Sequence, residues 1–153
     1  GLVGITAGCA FVSDAAAIGI GAVSGIAMVL VSEWLEKRRV DDPVGAFAVH
    51  GVSGSIGTLA VGLFALPGTA SHAGLFHGGG WHLLGAQALG LAVVAVWGFG
   101  LTWVALKLIQ AWRPVRVTAD EEKIGLDVAL HGVPAYSKDK DFIDVDELRN
   151  PTS

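Results

Sequence analysis

Asp41-Asp42-Pro43-Val44-Gly45-Ala46-Phe47-Ala48-Val49-His50-Gly51-Val52-Ser53-Gly54-Ser55-Ile56-Gly57 places a single histidine inside an uncharged stretch of membrane length. From Val44 to Ser71 there is no Lys, Arg, Asp or Glu. A helix of about 20 apolar residues spans the hydrocarbon core of a bilayer, so His50 is expected within the membrane rather than at its edge. Ionisable side chains at that depth are costly and face a cavity or the interior of a bundle. His50 is therefore the first candidate functional residue. The alternative is a structural histidine, hydrogen-bonded across helices.

Composition supports the membrane reading. The chain has 153 residues, of which 52% are hydrophobic and 16% charged, and a mean hydropathy of +0.59. Soluble domains carry about 25% charged residues. Twenty-two glycines in such a chain suggest close helix packing, because small residues let transmembrane backbones approach. A single cysteine, Cys9, excludes an intrachain disulfide framework and reads as a small packing residue. The net charge of −4 is unevenly spread: residues 1–117 carry five acids and six bases, residues 118–153 nine acids and four bases. The expected organisation is a membrane region, 1–117, and an acidic cytoplasmic tail, 118–153. The chain begins without Met inside an apolar run, Gly1 to Val12, which reads as the end of a helix belonging to a longer protein.

Three full spans are expected, at about 15–35, 46–66 and 82–112. The last, at 1.5 Å per residue, would reach about 46 Å and must tilt or project beyond a core of about 30 Å. Lys37, Arg38 and Arg39 follow the first span, and Lys107, Arg113 and Arg116 accompany the end of the third. The loop from Pro67 to Trp81 has neither Lys nor Arg. The positive-inside rule then puts residues 37–39 and the C-terminus in the cytoplasm and the 67–81 loop outside. Glu33 and Glu36, beside the basic residues, read as solvated ion-pair partners.

Within this frame Asp42 reads as an N-cap and Pro43 as the first helical residue, a structural assignment favoured over a direct role in transport. Ala17, Gly21 and Gly25 repeat every four residues, and Gly51, Gly54 and Gly57 every three, immediately after His50. Such spacing keeps small residues on one helical stripe, which would turn His50 into the bundle. Thr118-Ala-Asp-Glu121 has the form of a capping box, so a short helix is expected at about Asp120 to Ile124.

Taken together, residues 41–54 resemble the second pore-histidine region of the ammonium transporter family, in its Amt/Mep branch. The tail adds a separate match: Glu122-Lys-Ile-Gly125-Leu126-Asp127, His131-Gly132 and Ala135-Tyr136 look like the signature of that family's cytoplasmic terminus. The opening Gly-Leu-Val-Gly-Ile-Thr-Ala-Gly-Cys-Ala resembles the helix end before its ninth span. The resemblance covers about residues 1–136. It implies an all-α membrane protein, the C-terminal helices (about 9–11) of an eleven-helix, trimeric transporter. His50 would be the second of two pore histidines, whose partner lies upstream of this chain, with Ala46 as a small pore-lining neighbour and Asp42, Pro43, Gly51 and Gly54 as structural support. Gly125, Asp127 and His131 would form a regulatory tail that couples subunits, Gly125 as a turn and the other two through bonds across subunits. PII-type signalling proteins dock on that side in the family. The implied substrate is ammonium or ammonia, the implied location the cell membrane. No cofactor, metal, nucleic-acid partner or catalysis is implied. Gly45 and Ile56 depart from the pattern, standing where some members carry an acid and many a Trp. Residues 137–153 lie beyond the resemblance and are expected to be disordered.

The chemistry suits the residue. Ammonium crosses an apolar pore only at a large desolvation cost, whereas neutral ammonia does not pay it. A neutral imidazole offers one donor and one acceptor to a solute that can do both, and it can relay a proton near neutral pH.

Three rival readings remain at this point. His72, His77 and His82 recur every five residues in the outer loop and could form a metal-binding site. Ser53 and Ser55, beside His50, could serve an intramembrane enzyme. A chain of this length could also be a truncated product with no conduction of its own.

Overall fold

Ser13 starts the first long helix: its extended backbone and its Oγ, which accepts the N–H of Ala16 at 3.3 Å, cap the orphan amides of the first turn. The structure, a computed structural model, describes residues 1–133 and 135. Among them every regular element is helical. The chain forms two compact units, Gly1–Phe99 and the residues from Gly100 onward.

In the first unit a short helix α1 (Leu2–Thr6) precedes α2 (Asp14–Lys37). A π-helical turn (Ala46–Val52) leads directly into α3 (Ser53–Phe64), a 3₁₀ turn (Leu75–His77) follows, and α4 begins at His82. Three stretches, Asp14–Lys37, Ala46–Phe64 and His82–Trp112, are long and apolar enough to cross a membrane. Their flanks stay apolar: Ile18, Val23, Ile26 and Leu30 on α2 and Val93, Val94 and Val96 on α4 are exposed. An apolar surface of this kind suits lipid or further helices.

Helix α2 ends in a Schellman motif. Arg39 N–H bonds Glu36 C=O at 2.9 Å and Val40 N–H bonds Leu35 C=O at 3.0 Å. The left-handed position that glycine usually fills is held by Arg39, φ 58°. Arg38 lies 5.0 Å over the Trp34 ring, and Glu33 pairs with Lys37 at 3.6 Å across exposed side chains, a contact that contributes little in water.

Small residues hold α1, α2 and α3 together. A methyl group added at Gly4 would collide with the Ser24 side chain, and one added at Gly57 would collide with the Gly4 carbonyl. Ser53, 1% exposed, donates its hydroxyl to the Ser24 carbonyl at 3.3 Å. Ser24 is fully buried, and its own hydroxyl has no partner among the described residues. Helix α4 approaches α3 at Gly62, where a methyl would lie 2.5 Å from Leu84 Cα. Beside that contact Val61, Ala65 and Leu83 form the buried cluster, with Phe11 and Ala70 against it.

Among the described residues the glycine triplet after His50 is used unevenly. None of them approaches the position of a methyl on Gly54 or Gly25, and a methyl on Gly51 would meet only Phe47 of its own turn, at 3.2 Å. Gly57 alone of the triplet Gly51, Gly54 and Gly57 serves a helix contact. Three-residue spacing drifts around the helix, so only one of the three meets the neighbouring backbone.

The loop between α3 and α4 is fastened by main-chain bonds. Leu66 N–H reaches Phe11 C=O at 2.8 Å, Gly74 N–H reaches Ala65 C=O at 2.8 Å, and Gly79 N–H reaches Gly74 C=O at 3.1 Å. The Thr69 hydroxyl adds a bond to Phe11 C=O at 3.1 Å.

In the second unit α4 runs on to Trp112, and α5 (Ala119–Ile124) and α6 (Leu126–His131) follow. The capping box is present: Thr118 Oγ1 accepts Glu121 N–H at 3.3 Å, and Glu121 Oε2 accepts Thr118 N–H at 2.7 Å. Arg116 donates to the Glu122 carboxylate at 3.0 and 3.2 Å.

Replacing Gly57 by Ala should destabilise the protein, since overpacking costs about 1–3 kcal/mol. Gly54→Ala, into open space, should be neutral or stabilising by about 0.4–1 kcal/mol. Thermal unfolding of the two purified variants in detergent should shift in these opposite directions; equal shifts would contradict the contact assigned to Gly57.

Candidate functional site

Asp42 organises the approach to His50, though by another geometry than a simple N-cap. Its carbonyl accepts Gly45 N–H at 2.9 Å, closing a tight turn over Pro43 and Val44. Its carboxylate Oδ2 then accepts Phe47 N–H at 3.0 Å and Ala48 N–H at 3.2 Å. Pro43 therefore sits in the turn and is not the first helical residue. The residue before the π-helical turn is Gly45, in the left-handed region at φ 64°. A side chain there would be strained, which accounts for glycine at a position that in sequence looked only like a departure from a pattern.

The turn itself decides which way His50 faces. Ala48 is 0% exposed and Ser53 is 1% exposed, five residues apart. At 100° per residue an α-helix would set them about 140° apart. With about 4.4 residues per turn, a π-helical turn brings them within about 50°. Ala48 thus lies on the packed face under Ser53, while His50 and Ala46 are both exposed. Among the described helices His50 faces away from their mutual contacts.

No polar side chain is bound to the imidazole among the described residues. The two nearby hydroxyls are committed elsewhere: Ser53 donates to Ser24 C=O and Ser55 to Gly51 C=O. They are spent on backbone, and no nucleophile–base pair forms with His50. Gly51 leaves room for the Phe47 ring one turn back, so Phe47, exposed like His50, accompanies it on this segment. Between the loop after α3 and the start of α4, the rings of His72 and His82 stack with centroids 5.5 Å apart and planes inclined by 26°. His77 takes no part in that pair, and among the described residues no three ligand-type side chains converge.

In the tail, Gly125 separates α5 from α6 at φ 96°, ψ 134°. A methyl there would lie 2.7 Å from Asp127 Oδ1. Asp127, expected to bond across subunits, closes a loop within its own chain by accepting Ala135 N–H at 2.7 Å. The N–H groups of Ala135 and Val128 hold its carboxyl below the usual range for an aspartate. Glu121 is lowered in the same way by the backbone and hydroxyl of Thr118. His131 ends α6, exposed, ahead of Gly132 at φ 70°. Tyr136 and residues 137–153, with the disorder expected there, lie outside the described residues.

Residues that carry the site but were not singled out by sequence are Gly45, Ala48, Gly4 and Ser24. The one local signal for any of them was the Pro-Val-Gly turn after Asp42.

A carboxyl whose folded value is depressed stabilises its contacts above its unfolded value, about 3.9 for aspartate, and loses that contribution as pH falls through the lower folded value. The Asp127–Ala135 clasp should accordingly be intact at neutral pH and open as pH falls below the ordinary aspartate range. Carbon-detected NMR titration should place the Asp127 midpoint below that of an unstructured peptide, and Asp127→Asn should speed amide exchange at Ala135 at pH 7. Equal midpoints would contradict the clasp.

Comparison with known proteins agrees with this architecture. Residues 1–136 match the model of the Ammonium Transporter Family. The chain is 39% identical over 147 residues to ammonium transporter Amt2 of Archaeoglobus fulgidus, covering 89% of this chain and 30% of that one. Against ammonium transporter 1 of Dictyostelium discoideum it is 39% identical over 141 residues, again 89% of this chain and 30% of the relative. The solved structure of a Sensor Amt Protein superposes with a TM-score of 0.70 at 39% identity, over 84% of this chain and 32% of that one. The chain thus spans about three tenths of the length of the relatives it matches. With its apolar spans and its match over residues 1–136, this chain is a multi-pass membrane protein that belongs to the ammonium transporter family.

Proposed function

We propose that this chain forms part of a transporter that conducts ammonium, as ammonia, across the cell membrane, and that His50 lines its pore. One observation carries the reading. His50 is the single ionisable side chain between Asp42 and His72, and it stands on an exposed face of an apolar span, turned from its own packing contacts. An imidazole spent on a structural bond would be buried among helices and hydrogen-bonded; this one is available to a solute. Ala46, four residues earlier and also exposed, leaves space beside it. The wall around them is apolar, which penalises the charged ion and favours deprotonation before passage. A neutral imidazole then supplies one donor and one acceptor to ammonia.

Under this reading residues 37–39 and the tail are cytoplasmic and the loop at 67–81 is external, as the distribution of Lys and Arg indicates. The remaining pore wall comes from the rest of the transporter, and these residues alone would not conduct. The assembled protein is a homotrimer, and the tail from Gly125 to His131 is the segment that couples subunits and meets a PII-type regulator. The clasp at Asp127 supports that role by giving the tail a defined shape.

In the full-length protein, His50→Ala should abolish selective ammonium conduction while leaving membrane insertion intact. Flux into proteoliposomes, with potassium as the competing ion, reads this directly. Unchanged ammonium selectivity would reject His50 as the pore residue.

A further inference from the structure

The π-helical turn coincides with the segment that carries His50, and its N-terminal end is held by residues just before it: Val49 N–H bonds Gly45 C=O at 2.7 Å. Five residues of the turn, Ala46 to His50, follow a left-handed Gly45, and the amides of Phe47 and Ala48 are held by one carboxylate oxygen of Asp42. Amides in the first turn of a helix have no partner within it and need an outside acceptor. Asp42 supplies it from five and six residues away, a reach that only the tight Asp42–Gly45 turn allows. Within the turn Ala48 is completely buried, on the face that the wide period shares with Ser53.

The consequence for His50 follows from the helical period. Three residues before Ser53, an α-helix would leave the imidazole about 60° from the packed face. The wider turn carries it to about 115°. The difference, about 55°, turns this position from the packed face toward the exposed side, where His50 is found.

We propose that Asp42 is a positioning residue for His50: its carboxylate holds the wide turn, and the wide turn sets the direction of the imidazole in the conduction path. Gly45 is the backbone hinge of the same device. The inference rests on the reading of His50 as the pore histidine and adds to it the group that aims the ring. Asp42 does not touch the substrate and acts only through the backbone of Phe47 and Ala48.

A double-mutant cycle in the full-length transporter tests this, with flux normalised to membrane-inserted protein. Asp42→Ala should lower selective ammonium flux about tenfold, and adding it to His50→Ala, whose selective conduction is already lost, should change the remaining unselective flux no further, because residues that act as a unit are not additive. Asp42→Asn, which keeps an acceptor oxygen, should restore most of the flux. Gly45→Ala, which strains the turn without altering the carboxylate, should show the same loss and the same disappearance in the His50→Ala background. Wild-type flux in Asp42→Ala, or an equal proportional loss with and without His50, would overturn the positioning role. Retained selectivity in His50→Ala would instead overturn the pore reading beneath it.

Discussion

The close approach of Gly4, Ser24, Ser53 and Gly57 is the constraint on which the first unit depends. In lipid, helices gain nothing from hiding apolar surface from water, so association rests on packing and on interhelical polar contacts. Here the packing is possible only because two of the four positions have no side chain and the other two have the smallest hydroxyl side chain. The Ser53 hydroxyl satisfies itself on the Ser24 carbonyl, which fixes the rotation of α3 about its axis. That rotation is then transmitted backward along the chain. Ser53 on the contact places Ala48 beneath it, and Ala48 beneath it places His50 outside.

The spans were legible in the sequence because hydrophobicity and length are local properties of a segment. His72-to-His82 spacing, the capping box at Thr118 and the charge step at residue 118 were legible for the same reason. The orientation of His50 was not. Ala-Phe-Ala-Val-His-Gly-Val carries no residue that announces a change of helical period; the change is imposed by Asp42 and Gly45 before it and by the buried Ala48 within it. Gly51 and Gly54 looked as good as Gly57 because spacing says that glycines share a stripe, while the partner that makes one of them necessary, Gly4, lies more than fifty residues away. The fastening of Leu66 to Phe11 was invisible for the same reason.

The polar economy of the region supports the proposed chemistry. Around His50 the hydroxyls of Ser53 and Ser55 are turned to backbone carbonyls, and Asp42 is turned to backbone amides. These three side chains are thus already occupied. What remains on the exposed side of the turn is an imidazole, an aromatic ring and methyl groups, a surface with little affinity for a hydrated ion.

The π-helical turn also bears on chain length. It contains five residues per hydrogen-bonded repeat where an α-helix contains four, so this span holds one residue more than its rise requires. Removing one residue between Ser53 and Gly57 would rotate the helix on one side of the deletion by about 100° relative to the other and break the pairing of the Ser53 and Gly57 contacts. Removing one from Ala46–Val52 would let the turn relax to an α-helix and leave the register of α3 unchanged. The span therefore has a single place where its length is adjustable, and that place is occupied by the residue on which the proposed function turns.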